Sequence, residues 1–228
     1  MPTFHDTEFG DVTVRRSSLS RSIKLSVAPN GTLRISMPTY APLFMAKRLL
    51  ASSRNSIRKL QSTQYTSLYE DGMKVGKSHH LEVIVRSPLK VSRQGQAVVV
   101  QLPSSHTIAE SEVQQAIRAV VIQALKKEAK SYLPRRLEFL ANEHGFSYHS
   151  VRFSHASSRW GSCSSRKVIS LNIALMKLSF EEIDYVLLHE LSHTEHLDHS
   201  LAFWQRVETC MPNYKLHKAA LKQQTPSV

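Results

Sequence analysis

Cysteine is scarce in this chain: Cys163 and Cys210 are the two thiols in 228 residues. Small secreted domains are held together by several disulfides, so two cysteines exclude that class of protein. The two also lack the paired spacing of a zinc knuckle, and we expect both to be small buried side chains. The first residues, MPTFHDTEFGDV, contain no basic segment followed by an apolar run, so we expect no secretory signal and a cytoplasmic protein.

Long hydrophobic runs are absent as well, although 41% of the residues are hydrophobic. A transmembrane helix needs about 18 or more consecutive apolar residues, and no stretch of the sequence approaches this length. We therefore expect a globular protein with no membrane partner. A chain of 228 residues can form one sizeable core, or a small domain joined to a larger one.

Acidic residues are few: 18 Asp and Glu stand against 30 Lys and Arg, which gives a formal net charge of +12. Residues 1–60 hold ten of the basic residues and three of the acidic ones. Such a surface attracts polyanions, so the sequence indicates an anionic partner or a nucleic acid. A basic surface that serves solubility alone is the alternative, since no recognisable nucleic-acid-binding module is present.

The patterns of residues 1–104 predict a strand-rich region with one basic helix. Apolar and polar residues alternate in Ile23–Val27 and Leu33–Met37, and Asn30-Gly31 between them predicts a β-hairpin. Apolar residues at helical spacing predict a helix over 43–60. Further strands are predicted at 12–14, 81–86, 89–93 and 97–102.

Residues 105–228 combine long helices with short strands. Apolar residues at helical spacing predict a helix over 111–144, which Pro134 kinks or breaks. Two strands, at 151–153 and 168–172, flank a Ser-rich connection. Together with the first 104 residues, these patterns predict an α+β fold in two parts, with the boundary between residues 104 and 105.

A helix over residues 179–196 is predicted by a capping box that begins at Ser179 and by the apolar residues that follow it at helical spacing. This helix carries the motif H-E-x-x-H. Residues four apart share a helix face, so His189 and His193 can direct two imidazoles at one metal ion. In this pattern Glu190 is not a ligand, because its carboxylate takes the proton of a metal-activated water.

A third ligand is predicted at His199. Three protein ligands would leave a fourth position open for water, as in a catalytic rather than a structural zinc site. His193 and His199 have the same separation as the last two histidines of the pattern H-E-x-x-H-x-x-G-x-x-H, in which a glycine stands where this chain has His196. The chain must therefore leave the helix at that position without glycine's conformational freedom, or leave it later. His196 is the alternative third ligand, and Glu208 is a more remote carboxylate candidate.

Three further side chains are candidates for contact with substrate or with the ligands. Arg159 can bind an anionic group through its forked guanidinium. Tyr185 lies one turn before His189 on the same helix face, where core packing is its other role. Asn172 can act on substrate or cap the end of a strand. We expect Phe203 and Trp204 to wall the site from below.

Several segments of the sequence closely resemble the YgjP-like family of zinc-dependent metallopeptidases, which is related to the SprT-like and WLM zincins. The resemblance is closest over residues 110–222, and it extends more loosely to the hairpin at residues 21–38. The residues that carry it are Arg159–Ser164, Ile169–Asn172, Asp184–His193, His199-Ser200 and Phe203-Trp204.

The resemblance implies a zincin-like catalytic domain over residues 105–228, preceded by the strand-rich region. In such a domain a short sheet lies over an active-site helix, and its edge strand can pair with an extended substrate. The implied zinc ligands are His189, His193 and His199, and Glu190 is the implied general base.

We therefore expect a zinc-dependent hydrolase with one zinc per chain, and a peptide or protein as its substrate. Three imidazoles favour zinc among the divalent ions. Two alternatives remain open. The basic surface and Arg159 would suit a nucleotide phosphohydrolase, and a basic nucleic-acid- or protein-binding module with a vestigial zincin site is the non-enzymatic alternative. The intact Glu190 argues against the latter, because a structural zinc site does not need that carboxylate.

Overall fold

The computed structural model describes residues 3–27, 33–57 and 68–228. The chain forms two compact units, Met1–Leu68 and Tyr69–Val228, and each has its own hydrophobic core. The prediction of an α+β fold is confirmed. Within the ranges that the structure describes, no helix combines the length and the apolar character that crossing a membrane requires.

The first unit is a four-stranded sheet covered on one face by a helix. Its elements are β1 (Thr3–Asp6), β2 (Gly10–Ser17), β3 (Lys24–Val27), β4 (Leu33–Pro38) and α1 (Leu43–Ser52). The strand order is β1-β2-β4-β3, with β2 and β4 parallel and the other pairs antiparallel. The predicted pairing of β3 with β4 is confirmed, while the Asn30-Gly31 turn lies outside the described residues.

The second unit begins with another four-stranded sheet, whose order is β5-β6-β8-β7. Its strands are β5 (Lys74–Val75), β6 (His79–Val85), β7 (Lys90–Gln94) and β8 (Ala97–Leu102). The sequence analysis grouped these strands with residues 1–104. In the structure, apolar residues of β6 and β8 share one buried core with the long helix that follows, so the division between units falls near residue 68.

The long helix α2 (Ser111–His144) runs without interruption through Pro134. Of the two effects predicted for this proline, a break does not occur, and a kink stays a prediction. Leu133 and Leu137 on either side are fully buried, and burial of their stripe outweighs the local cost of the proline ring. The helix ends at Gly145, whose φ of 72° is the left-handed conformation that glycine adopts without strain.

A three-stranded sheet follows, of order β10-β11-β9, and three helices complete the unit. The elements are β9 (Ser150–Ser154), β10 (Gly161–Cys163), β11 (Val168–Asn172), a 3₁₀ helix (Ile173–Lys177), α3 (Phe180–Ser192), α4 (Leu201–Cys210) and α5 (Tyr214–Lys222). The sequence analysis treated β10 as part of a connection. It is the edge strand of this sheet, antiparallel to β11.

Polar contacts fix α2 to its neighbours. Arg136 donates two hydrogen bonds, of 2.8 and 2.7 Å, to the Asp184 carboxylate of α3. Buried Glu128 accepts hydrogen bonds from the backbone N–H of Lys77 and Ser78, at 2.7 and 2.9 Å, and lies 2.5 Å from Nδ1 of His79. Helix α2 thereby holds both the turn between β5 and β6 and the helix that carries H-E-x-x-H.

Candidate metal centre and active site

Helix α3 begins where the capping box was predicted. The Ser179 hydroxyl accepts a hydrogen bond from the Glu182 N–H at 3.1 Å, and the Glu182 carboxylate accepts one from the Ser179 N–H at 2.9 Å. The helix ends at Ser192, earlier than the predicted residue 196. His193 caps its end in an ordinary right-handed conformation, so the chain leaves the helix without needing a glycine.

His193 has a defined orientation. Its Nδ1 lies 2.9 Å from the His196 carbonyl oxygen, which can only accept, so Nδ1 carries the proton. The Nε2 lone pair is then left for a metal ion. The Ser192 hydroxyl donates a hydrogen bond to the Leu188 carbonyl at 2.8 Å, and the Thr194 hydroxyl donates one to the Leu191 carbonyl at 2.7 Å. These bonds satisfy helix carbonyls at the end of α3, beside this histidine.

The structure brings His199 to the pair on α3. One nitrogen from each of His189, His193 and His199 lies within 4.8 Å of the others. The Nε2 atoms of His189 and His199 are 3.3 Å apart. Nitrogen ligands at about 2.0–2.1 Å from a tetrahedral zinc lie roughly 3.3 Å from one another, so this spacing fits zinc.

Phe203 of α4 forms the floor of the histidine group. It is fully buried, its ring stacks on His193 at 4.4 Å, and it meets His189 and His199 edge-on at 4.9 Å each. Trp204 stacks on His199 at 5.6 Å. The prediction that these two aromatic residues wall the site is confirmed, and Phe203 touches both segments that supply imidazoles.

Burial keeps the imidazoles of His189 and His193 neutral. Burial lowers the pKa of His189 to about 3, and His193 and His199 act in the same direction. Burial also lowers the pKa of His193. A neutral imidazole has a free lone pair at physiological pH, which is the form that binds a metal. Nδ1 of His189 is buried, and no residue in the described part of the chain forms a hydrogen bond with it.

Glu190 is packed tightly beneath the edge strand. It is 4% exposed, and its buried Oε2 has no hydrogen-bond partner within the ranges that the structure describes. A Cβ atom at Gly161 of β10 would lie 2.5 Å from Oε1 of Glu190, so only glycine leaves room for this carboxylate. Burial raises the pKa of Glu190 to about 8, and the Arg159 guanidinium opposes that rise.

The other predicted site residues have different surroundings. Arg159 is exposed and acts electrostatically on Glu190. Tyr185 is buried, its ring lies 6.0 Å from that of His189, and burial raises its pKa to about 12. Asn172 is fully buried, and its amide donates to the carbonyls of Ala156 and Arg159 at 2.6 and 2.9 Å. Asn172 therefore shapes the loop before β10 and is not open to substrate.

Within the described residues, neither of the two alternative ligands belongs to the group of three imidazoles. His196 contributes its backbone carbonyl to His193. Glu208 is exposed and pairs with Lys215 at 3.2 Å. The loop between His193 and His199 is instead held by Arg206 of α4, which donates to the Glu195 carboxylate at 2.8 Å.

Sequence reasoning missed the contribution of β10 and α5. Gly161 lies in the segment predicted as a Ser-rich connection, and in the structure it provides the space for Glu190. From α5, the His217 ring stacks on Tyr185 at 6.5 Å, and the Lys218 ammonium lies 3.5 Å from the centre of the Trp204 ring. Lys218 follows Tyr214, which also stacks on Trp204, by one helical turn, and this spacing was the available signal.

Two solved structures are similar to this chain, each over 40% of its length. The zymogen of Pyrococcus abyssi abylysin is 28% identical and is covered over 92% of its own length. The zymogen of Methanocaldococcus jannaschii jannalysin is 15% identical and is covered over 93% of its own length. Both are described as metallopeptidase zymogens, with a TM-score of 0.36 in each case. A comparison with curated proteins finds no match. Residues 21–224 match the family described as YgjP-like, metallopeptidase domain, so the chain belongs to the YgjP-like metallopeptidase family.

Proposed function

We propose that this protein is a zinc peptidase in which His189, His193 and His199 hold the metal and Glu190 is the general base. One observation carries the proposal: three imidazoles converge beside a buried carboxylate, one oxygen of which has no hydrogen-bond partner among the described residues. Buried polar atoms without partners are rare, and they occur at sites that receive a ligand. The finer roles go beyond the family assignment and rest on this geometry.

The donor set supports zinc over the harder cations. Imidazole suits zinc, whereas magnesium and calcium prefer oxygen ligands. Three protein ligands leave one coordination position for a water molecule or the substrate carbonyl. Zinc bound there would supply Lewis acidity, which acidifies water and polarises the scissile carbonyl.

Glu190 performs the proton transfers in the proposed reaction. Its free oxygen, Oε2, accepts a proton from the attacking water and returns that proton to the nitrogen of the departing amine. Gly161 and the buried surroundings hold the carboxylate in one position, so little reorganisation is needed during the reaction. The divalent charge of the metal would favour the ionised carboxylate and oppose the effect of burial on its pKa.

The substrate is proposed to be a peptide in extended conformation. Strand β10 is an edge strand, and its outer backbone groups are available for pairing with another chain. Because Gly161 belongs to this strand and touches Glu190, a peptide paired along β10 would pass the carboxylate and the three imidazoles. Exposed Arg159 precedes the strand and would attract an acidic group on the substrate.

A cytoplasmic location is also proposed. Cys163 and Cys210 are both free thiols, which suits a reducing compartment.

The proposal is tested with zinc-loaded wild type and the variant Glu190→Gln on a library of internally quenched peptides. Glutamine keeps the shape of the side chain but cannot take the proton, so the variant is expected to keep zinc and lose hydrolysis, by at least about 100-fold. Nucleoside triphosphates are assayed in parallel. Wild-type turnover by Glu190→Gln, or cleavage of nucleotides with no cleavage of peptides, would contradict the proposal.

A further inference from the structure

The sheet of the first unit has one buried face, and within residues 3–27 and 33–57 no helix covers the other face. Successive residues of a strand point to opposite faces of the sheet. The buried face contains Val12 and Val14 of β2 and Leu33, Ile35 and Met37 of β4, so the residues between them lie on the opposite face. The opposite side displays what we call the basic sheet face. It consists of Thr13, Arg15, Lys24, Ser26, Arg34 and Ser36.

The strand register arranges these side chains in two rows across β3, β4 and β2. One row is Lys24, Ser36, Arg15, and the next is Ser26, Arg34, Thr13. Neighbouring strands lie about 4.8 Å apart, so the rows span about 10 Å. The three cations stand at the corners of a triangle, and a serine or threonine hydroxyl lies beside each of them.

The charge of this face is not neutralised. Arg15, Lys24 and Arg34 are exposed, and within residues 3–27, 33–57 and 68–228 none of the three forms an ion pair.

The acidic residues of the first 60 positions have other partners. Asp6 pairs with Arg54 at 2.8 Å, and Glu8 also contacts Arg54. Asp11 lies further along β2 on the same side of the sheet and pairs with His5 at 3.0 Å. The positive potential of the basic sheet face is therefore available to an external anion.

We propose that the basic sheet face binds the phosphate backbone of a nucleic-acid duplex. A duplex carries one phosphate for about every 1.7 Å of its axis, so a flat face about 10 Å wide meets several phosphates at once. Arginine and lysine neutralise them, and the hydroxyls of Thr13 and Ser36 donate hydrogen bonds to phosphate oxygens, whereas the Ser26 hydroxyl donates to the Arg34 carbonyl at 3.2 Å.

The composition of the face distinguishes a duplex from other polyanions. Its six residues include no aromatic ring on which single-stranded bases could stack, so contact with the backbone, independent of base sequence, is expected. They also include no apolar side chain that would enter a bilayer. This binding does not depend on the proposed peptidase site, because none of its residues belongs to that site.

The test measures the binding of the full chain to a fluorescein-labelled 20-base-pair DNA duplex by fluorescence anisotropy, between 50 and 200 mM NaCl. Each phosphate contact adds about 0.9 to the slope of log affinity against log salt. Three contacts give a slope of about −2.7, which is a loss of about 40-fold in affinity over this range.

A triple variant, Arg15→Gln, Lys24→Gln and Arg34→Gln, removes the three cations from exposed positions. A matched control, Lys126→Gln, Lys127→Gln and Lys130→Gln, removes the same charge from exposed positions of α2. The first variant is expected to lose most of the binding and about 2.7 of the slope, while the control keeps the wild-type slope.

Thermal melts and the single variant Arg34→Gln guard against a folding defect. The single variant is expected to lower the slope by about 0.9 with an unchanged melting curve. Equal losses in the two triple variants, or no DNA binding by the wild type, would overturn the proposal. Tighter binding to vesicles containing phosphatidylserine than to DNA would also overturn it, since Leu19 in the turn after β2 is 92% exposed and could enter such a membrane.

Discussion

Substituting Gly161 by alanine tests the packing of the Glu190 carboxylate, the proposed general base. The new Cβ would lie 2.5 Å from Oε1 of Glu190, 2.7 Å from its Cγ and 2.8 Å from its Cδ. These distances are all shorter than a carbon atom tolerates, whereas the backbone of Gly161 is not in the left-handed region and accepts alanine. The substitution therefore acts through the position of Glu190.

The displacement can be estimated from the contacts. To restore a separation of about 3.0–3.4 Å, Oε1 of Glu190 must move by roughly 0.5–1 Å. A misplacement of about 1 Å in a catalytic group costs on the order of 100-fold in rate. Overpacking costs a further 1–3 kcal/mol or so of stability. We expect kcat to fall by about 10- to 100-fold, with zinc content unchanged because no imidazole is touched.

A double-mutant cycle separates this explanation from a general defect. In the Glu190→Gln background, Gly161→Ala should cost little further activity, since the carboxylate is already absent. Ser162→Ala on the same strand is the control, and it should leave kcat within about twofold of wild type. Full activity of Gly161→Ala, or an equal loss in both backgrounds, would refute the reasoning.

Two further variants test the supports of the site. Phe203→Leu removes the ring beneath all three imidazoles, so zinc affinity should fall by about 10-fold. Competition with a chromogenic chelator measures this affinity, and an unchanged value would show that Phe203 does not position the imidazoles. Glu128→Gln replaces one acceptor oxygen of this buried carboxylate with an NH2 group, which then faces an N–H donor of the turn between β5 and β6. Urea unfolding at pH 7 should show a loss of about 2–4 kcal/mol, against less than about 0.5 kcal/mol for exposed Glu138→Gln. Burial would raise the pKa of Glu128, but hydrogen bonds from Lys77, His79 and Ser78 outweigh it and lower that pKa below 4.5. The contribution of the Glu128 carboxylate to the free energy of unfolding is therefore present above pH 4.5 and is lost as the pH falls through the pKa of Glu128 in the folded protein. The difference in stability between wild type and Glu128→Gln should therefore narrow in acid.

Helix α3 and its two histidines could be predicted because their signals are local. The capping box and the spacing of four between His189 and His193 lie within one segment, and the structure contains both. The end of the helix was misplaced, because it depends on the Ser192 and Thr194 hydroxyls competing for helix carbonyls.

Strand β10 could not be predicted for the opposite reason. Gly161–Cys163 contains no β-branched or aromatic residue, and three residues are too few to establish an alternating pattern. The segment is a strand because β11 pairs with it. The role of Gly161 depends in turn on Glu190, which lies 29 positions further along the chain.

The division between the two units was also out of reach of local patterns. The first residues of β6 alternate in burial, as those of β2 and β4 do, and β8 begins with a continuous apolar run, so neither pattern says which helix covers the strand. Leu81 and Val98 pack in one core with Val113 and Ile117 of α2, and this contact is set by the tertiary fold.

The central claim is that His189, His193 and His199 hold one zinc ion, and elemental analysis of the purified protein tests it most directly. Wild type and His199→Ala are stripped of metal, reloaded with zinc and desalted. The account predicts about one zinc per chain in wild type and a sharp loss in the variant. Full zinc in His199→Ala, which would point to His196 or Glu208, or no zinc in the reloaded wild type would contradict it.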